Sequence, residues 1–359
     1  MKISLITEGT YPHSRGGVSV WCDQIIRGMP DVEFEVEALV ASAAQPVACG
    51  LPPNVREVKA RALWGPPERG RRDGRSGRQQ FIDAYERLIE LLLDPSAQPH
   101  DMPGVLRALC RYADRADLGA AARSEAAATA LARQWRPGAA TGRTVAATTP
   151  KNLSDVVAVC THLEHSLRTL ALPCPSGDLC HTAANGLGAL VAMAAKWRTG
   201  KPFILTEHGV YLREGYLGYR RQGFSQPVRT LLLRFLRLLT SAAYLEADAI
   251  APSTLYNARW ERQNGADVSR IKVIPNGVDP EQFPVAADPP EPVMSWVGRV
   301  DPLKGLETLI NAFAEVRETI PHARLRMFGA TPPGDERYRD RCLDLIDQHA
   351  MNAVSIVGD

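Results

Sequence analysis

The chain has 359 residues, 45% of them hydrophobic, which is enough for two domains with sizeable cores. Its 42 basic and 40 acidic residues leave a net charge of +2, which argues against a nucleic-acid binder. Seven scattered cysteines with no CxxC pair read as reduced thiols and a cytoplasmic setting. The longest apolar run, around 230–240, is broken by Arg234 and Arg237 and is too short to span a bilayer.

In chain order, Ile3–Thr7 reads as a buried strand and not as a secretory leader. A glycine-bearing loop follows, then a helix from Val18, with Val18, Trp21, Cys22, Ile25, Ile26 and Met29 on one face. Strand, glycine loop and helix open an α/β fold. Further strands are predicted at 34–40 and 55–59, and a Gly-, Pro- and Arg-rich mobile loop at 61–80. Its five arginines read as a solvated surface or as a contact with acidic polymer or headgroups. Helices are predicted at 81–93, 103–134 and 152–170, and 61–150 as a whole reads as a helical insertion.

The α/β rhythm resumes with a strand at 177–183, a helix at 186–198 and a strand at 201–209. A long helix at 226–246, a strand at 247–253, a helix at 254–264 and, over 271–279, a strand followed by a turn come next. Five prolines between Pro280 and Pro292 mark a linker, placed at 281–292. The first domain is thus expected over 1–280 and a second α/β series over 293–359. That series has strands at 293–299, 323–329 and 353–358 and helices at 302–318 and 337–350. Three strands and two helices make a small open sheet with an expected bare face or edge, so the second domain is read as incomplete.

Three loops could carry chemistry. In HSRGGVSVW, Gly16 and Gly17 let backbone approach a ligand, and the helix opening at Val18 offers unpaired N–H groups to a phosphate or sugar. An ordinary tight βα turn has the same appearance, and no GxGxxG is present. In LTEHGVY, His208 lies just past a predicted parallel strand, at the edge where open α/β sheets bind ligands. Glu207 beside it should point to the opposite face, so only one of the two should line a cleft. In VGRVDPLKG, Gly298 and Arg299 end a strand, and Lys304 lies at the entrance to the next helix. Two cations on one βα loop make an anion clamp, or a pair of solvated loop charges. The histidines of HLEH (162–165) lack a third ligand, and no metal site is expected.

These strings occur in a recognisable order. The Gly-Gly loop, EHG, PNGVD (275–279) and GRVDPLKG (298–305) resemble family 4 of the GT-B glycosyltransferases. TEGTYPHSRGGVSVWCDQII and TGKPFILTEHGVYLREG resemble the PelF-type members, bacterial transferases linked to the Pel exopolysaccharide. The resemblance covers most of 1–60 and 150–359.

It implies two Rossmann-like domains facing a cleft, the second incomplete, and retaining transfer of a hexose from a UDP-sugar, with glucose the first choice. The acceptor would be a growing exopolysaccharide or another glycan. The donor is a co-substrate, and no metal or other cofactor is implied. Arg299 and Lys304 match the family's diphosphate-binding pair and His208 its sugar-contacting histidine. Gly16, Gly17, Val18, Glu207 and Gly298 belong to the matching donor or substrate loops. A polysaccharide-export partner at the inner membrane is also implied, with membrane association through that partner. The family's paired-glutamate element would lie beyond Asp359, which leaves a catalytically inactive fragment that binds only acceptor or partner as the alternative reading. A Rossmann-type oxidoreductase is disfavoured by the missing GxGxxG.

Overall fold

The computed structural model describes residues 1–42, 44–64, 74–136, 150, 152–332, 334–349 and 354–357. The chain forms two compact units, Met1–Gly277 and Val278–Asp359.

The first unit is built on six parallel strands, β1 (Lys2–Glu8), β2 (Glu33–Val40), β3 (Val55–Ala62), β4 (Leu179–Thr182), β5 (Phe203–Glu207) and β6 (Ala249–Pro252). Their order is β3-β2-β1-β4-β5-β6. The chain winds outward from β1 to β3, then returns to β4 on the other side of β1. That reversal leaves a crevice at the carboxyl ends of β1 and β4, where open α/β sheets take ligands.

Strands buried on both faces read as continuous apolar runs, and side chains alternate between the faces. Leu5, Phe34 and Val36 pack on Cys22 and Ile26 of α1 (Gly17–Arg27). Ile6, Leu39 and Leu205 join the larger core on the opposite face. The helices of that core include α2 (Arg75–Leu93), α3 (Met102–Ala113), α4 (Leu118–Ala122), α5 (Glu125–Gln134) and α6 (Leu153–Leu167). Of these, α2, α3 and α6 pack against α9 (Gln226–Glu246), which buries Leu231, Leu232, Phe235, Leu236, Leu238 and Leu239. Its apolar run is therefore a core helix, and no helix among the described residues is long and apolar enough to cross a membrane. The remaining helices are α7 (Leu187–Thr199), α8 (Tyr211–Arg221) and α10 (Leu255–Gln263).

Several expectations change. The helix expected at 103–134 is three helices, because Asp117 accepts from the N–H of Ala120 at 2.8 Å and Ser124 from that of Ala127 at 3.2 Å. Each oxygen caps a new helix N-terminus in place of continuation. Helix α8 was not anticipated. The strand expected at the start of 271–279, ahead of a turn, is reduced to an isolated bridge. Ile271 bridges Ile250, and the N–H groups of Lys272 and Ile274 reach Ile250 O and Pro252 O. Pro275 then has no N–H to extend the ladder. Of the loop expected at 61–80, residues 65–73 lie outside the described residues, and its two ends belong to β3 and α2.

The second unit has a parallel sheet in the order β7-β8-β9, from β7 (Val293–Val297), β8 (Arg324–Phe328) and β9 (Val354–Val357). Leu325 and Met327 pack with Leu306, Ile310 and Phe313 of α11 (Leu306–Thr319) and with Tyr338, Cys342 and Ile346 of α12 (Glu336–Gln348). The apolar residues Met294 and Val297 of β7 are exposed.

Candidate active site

The crevice of the first unit is a cleft of about 340 Å³. The end of β1 supplies Glu8 and Thr10, the start of α1 supplies Val18, and the loop after β4 supplies Ala183, Ala184 and Asn185. The loop after β5 and the start of α8 add His208, Gly209, Tyr211 and Glu214. Every wall is thus the carboxyl end of a parallel strand or the first turns of the helix after it.

Two of the helix N-termini at this edge are treated differently. That of α7 is filled from within, since the Gly188 N–H donates to Glu8 Oε1 at 2.6 Å. The Tyr211 hydroxyl donates to Glu8 Oε2 at 3.1 Å. Burial pushes the Glu8 carboxyl up to about 7, against the lowering effect of those two donors. Helix α1, in contrast, begins at Gly16 with no side-chain cap and no acid in its first turn. A Cβ at Gly16 or Gly17 would meet no atom within 4 Å. Internal packing therefore does not account for these glycines, and space stays open at a positive helix end.

His208 lines the cleft, with its ring against Trp21 of α1 at 4.7 Å between centroids. The same Trp21 packs against His181 of β4 at 5.5 Å. Burial lowers both histidine pKa values, that of His181 to about 4, so both rings are neutral at pH 7. His181 Nε2 is engaged by Thr206 Oγ1 at 2.8 Å, whereas His208 Nε2 is buried with no partner. Thr10 Oγ1 and Asn185 Oδ1 are also buried and unpartnered. Three polar atoms awaiting hydrogen bonds in one cleft are the arrangement expected for a hydroxyl-rich ligand.

Glu207 faces the other way. Its side chain is 2% exposed, and Tyr244 donates to its Oε2 at 2.7 Å. Its other neighbour is the fully buried Glu261 of α10. A direct substrate contact is thereby replaced with a structural role, as the alternation along β5 requires. Its backbone carbonyl also accepts from Asn257 Nδ2 at 3.1 Å and from the Ser253 N–H at 3.0 Å.

In the second unit the loop after β7 lies close to the loop after β8. The Gly298 N–H donates to Phe328 O at 2.9 Å and the Val300 N–H to Ala330 O at 3.0 Å. A Cβ on Gly329, at φ +154°, would come within 1.6 Å of Gly298 O, so the close approach requires glycine there. Arg299 is 61% exposed and pairs with the buried Asp301 at 3.1 Å. Asp301 also accepts from the Leu303 N–H at 2.9 Å, which fixes the turn into α11. Lys304 is exposed and has no ion-pair partner among the described residues. Both cations thus occupy one loop at the carboxyl edge of the second sheet, with Arg299 oriented by Asp301 and Lys304 unneutralised.

The family described as a domain of unknown function, DUF3492, matches residues 1–269. The chain belongs to this family. The DUF3492 chain is also similar to D-inositol 3-phosphate glycosyltransferases. That of Segniliparus rotundus is 36% identical over 95 residues, 23% of this chain and 21% of the relative. That of Nocardia farcinica is 33% identical over 93 residues, with the same 23% and 21% coverage. The chain matches about a fifth of the length of these curated relatives.

Among solved structures, Anabaena Alr3699/HepE in complex with UDP has a TM-score of 0.53 at 15% identity, covering 100% of this chain and 69% of that one. HepE in complex with UDP-glucose gives 0.51 at 16% identity, covering 100% and 69%. Apo OtsA gives 0.50 at 12% identity, covering 99% and 73%. At such identities the likeness establishes the fold: two Rossmann-like α/β units of GT-B glycosyltransferase type.

Among the residues in and beside the cleft, sequence reasoning pointed to His208 and Val18 but missed Glu8, Thr10, Asn185, Trp21, Tyr211 and Glu214. Glu8 carried a readable signal, a carboxylate closing an apolar strand just before a glycine. Asn185, Tyr211 and Glu214 come together only through the strand order.

Proposed function

We propose that this DUF3492 chain is a glycosyltransferase that takes its sugar from a nucleoside-diphosphate donor. The observation that carries the reading is the cleft at the topological switch point. There His208 Nε2, Thr10 Oγ1 and Asn185 Oδ1 present unused polar atoms beside the uncapped start of α1. The GT-B fold and the partial likeness to named glycosyltransferases support it.

In this reading Arg299 and Lys304 hold the departing diphosphate. A guanidinium grips two oxygens and an ammonium adds a point charge, so charge developing on the leaving group is neutralised without a cofactor metal. Neutral His208 donates to or accepts from a sugar hydroxyl, and Trp21 fixes its ring. Gly16, Gly17 and Val18 form the ligand loop of the first unit, and Gly298 belongs to the clamp loop of the second.

The finer assignment rests on sequence resemblance. The chain is a PelF-type member of family 4, transferring glucose from UDP-glucose with retention to a growing exopolysaccharide, alongside an export partner at the inner membrane. The HepE structures hold UDP and UDP-glucose, which supports that donor class by analogy of fold. Release of UDP from UDP-glucose in the presence of glycan acceptors tests the reading. Release that depends on Lys304 and His208 is expected. Absence of release with every UDP-sugar tried, or full release by Lys304→Ala, would overturn it.

A further inference from the structure

A second concave surface lies on the first unit, along α8 and α9. Two adjoining cavities of about 480 and 380 Å³ share Tyr216, Thr230 and Leu233 as lining residues. The larger has an apolar floor that includes Leu212 and Trp260. Among the described residues, arginine is the only charged type that lines either cavity: Arg213, Arg234 and Arg237 in one, Arg220 and Arg229 in the other. Arg234 and Arg237 are anchored, donating to Leu92 O at 3.1 Å and Ala97 O at 3.3 Å. The side chains of Arg213, Arg220 and Arg229 make no hydrogen bond or ion pair with any described residue.

The charges are spread in rows. Arg213, Tyr216 and Arg220 fall at i, i+3 and i+7 of α8, and Arg229, Leu233 and Arg237 at i, i+4 and i+8 of α9. Tyr216 is 50% exposed, and Leu217 beside it is also exposed. A single phosphate would need convergent cations. Two rows of arginine interleaved with tyrosine and leucine match an extended anionic plane with an apolar layer beneath it.

We propose that the α8–α9 surface docks directly on the anionic phospholipids of a bilayer. Arg213, Arg220 and Arg229 meet headgroup phosphates, and Tyr216 and Leu217 enter the interfacial layer. An acidic protein segment is disfavoured because the apolar residues alternate with the arginines along both helices, which suits a plane. This inference does not depend on the catalytic reading, since none of these residues lines the cleft around His208.

Flotation of the full chain with phosphatidylcholine vesicles, with and without phosphatidylglycerol, tests it. Binding is expected only with phosphatidylglycerol and should be lost in about 1 M salt, where the screening length is about 3 Å. Arg213→Gln, Arg220→Gln and Arg229→Gln combined should lower partitioning about 100-fold, or about fivefold per arginine. These side chains support no other part of the fold, so the melting temperature should stay near wild type. Should that variant fail to fold, Tyr216→Ser should still weaken partitioning several-fold. Equal binding to neutral vesicles, no binding to anionic ones, or unchanged partitioning of the variants would overturn the proposal. So would displacement by inorganic phosphate or polyglutamate as effective as by phosphatidylglycerol.

Discussion

Replacing Glu261 with Gln should make the chain more stable above neutral pH. Glu207 and Glu261 face each other in the interior, 2% and 0% exposed. Two carboxyl groups hydrogen-bond only when one carries a proton. With both ionised, Glu207 Oε1 and both Glu261 oxygens lie buried with no donor. Burial raises Glu207, with the Glu261 charge adding to it, and burial also lifts Glu261 from 4.5 to about 7. Between those values the folded chain holds a proton that the unfolded chain has released. Stability is therefore fully present below the ordinary carboxylate range and is lost as pH rises through the raised values of the pair. At about 1.36 kcal/mol per pH unit, raising the pair corresponds to a loss on the order of a few kcal/mol shared between the two carboxyls.

Glu261→Gln keeps the shape and gives Glu207 an N–H donor in place of a competing charge. Urea unfolding at pH 5 and pH 8, followed by circular dichroism, should show the wild type losing about 2–3 kcal/mol more than the variant over that interval. Parallel pH dependence of the two proteins would refute the shared proton, and with it the structural role given to Glu207.

Other outcomes follow from single contacts. Gly329→Ala should destabilise the second unit by about 3–5 kcal/mol in thermal or urea unfolding, since its Cβ would collide with Gly298 O; a cost under about 1 kcal/mol would contradict the close approach. Gly186→Ala would place a Cβ 2.3 Å from the Tyr211 ring, so it should disturb the cleft and cost about 1–3 kcal/mol. Tyr211→Ala in the same chain should recover part of that loss, and no recovery would mean that the strain lies elsewhere. His208→Ala should weaken UDP-glucose binding about tenfold while leaving UDP binding nearly unchanged, as one neutral hydrogen bond to the sugar requires. Equal losses for both ligands would show that the histidine does not read the sugar.

The fold was legible where periodicity had one interpretation. The apolar strand Ile3–Thr7 and the one-sided helix after Gly17 could belong to little else, and both formed. The segment 103–134 misled because alanine suits a helix at every step, and the breaks are set by the caps Asp117 and Ser124. Ile271–Asp279 was apolar and β-branched at its start, yet Pro275 cannot donate to a ladder. The cleft was half legible. His208 announced itself by following a strand, and alternation allowed only one of His208 and Glu207 to line the cleft, yet Glu207 was still counted among the substrate-loop residues and points away. Trp21 looked like one more core residue on its helix, and its contacts with His181 and His208 depend on β1 lying beside β4. No local pattern encodes that adjacency, because 170 or more residues separate the partners.

The account stands or falls on whether the loop after β7 holds a nucleoside diphosphate. Calorimetric titration of UDP into the chain and into its Arg299→Ala and Lys304→Ala variants measures this directly. Saturable binding by the wild type, weakened about 10- to 100-fold in either variant, is the expected result for charge-assisted contacts. Wild-type affinity in both variants, or no UDP binding by the unaltered chain, would contradict it.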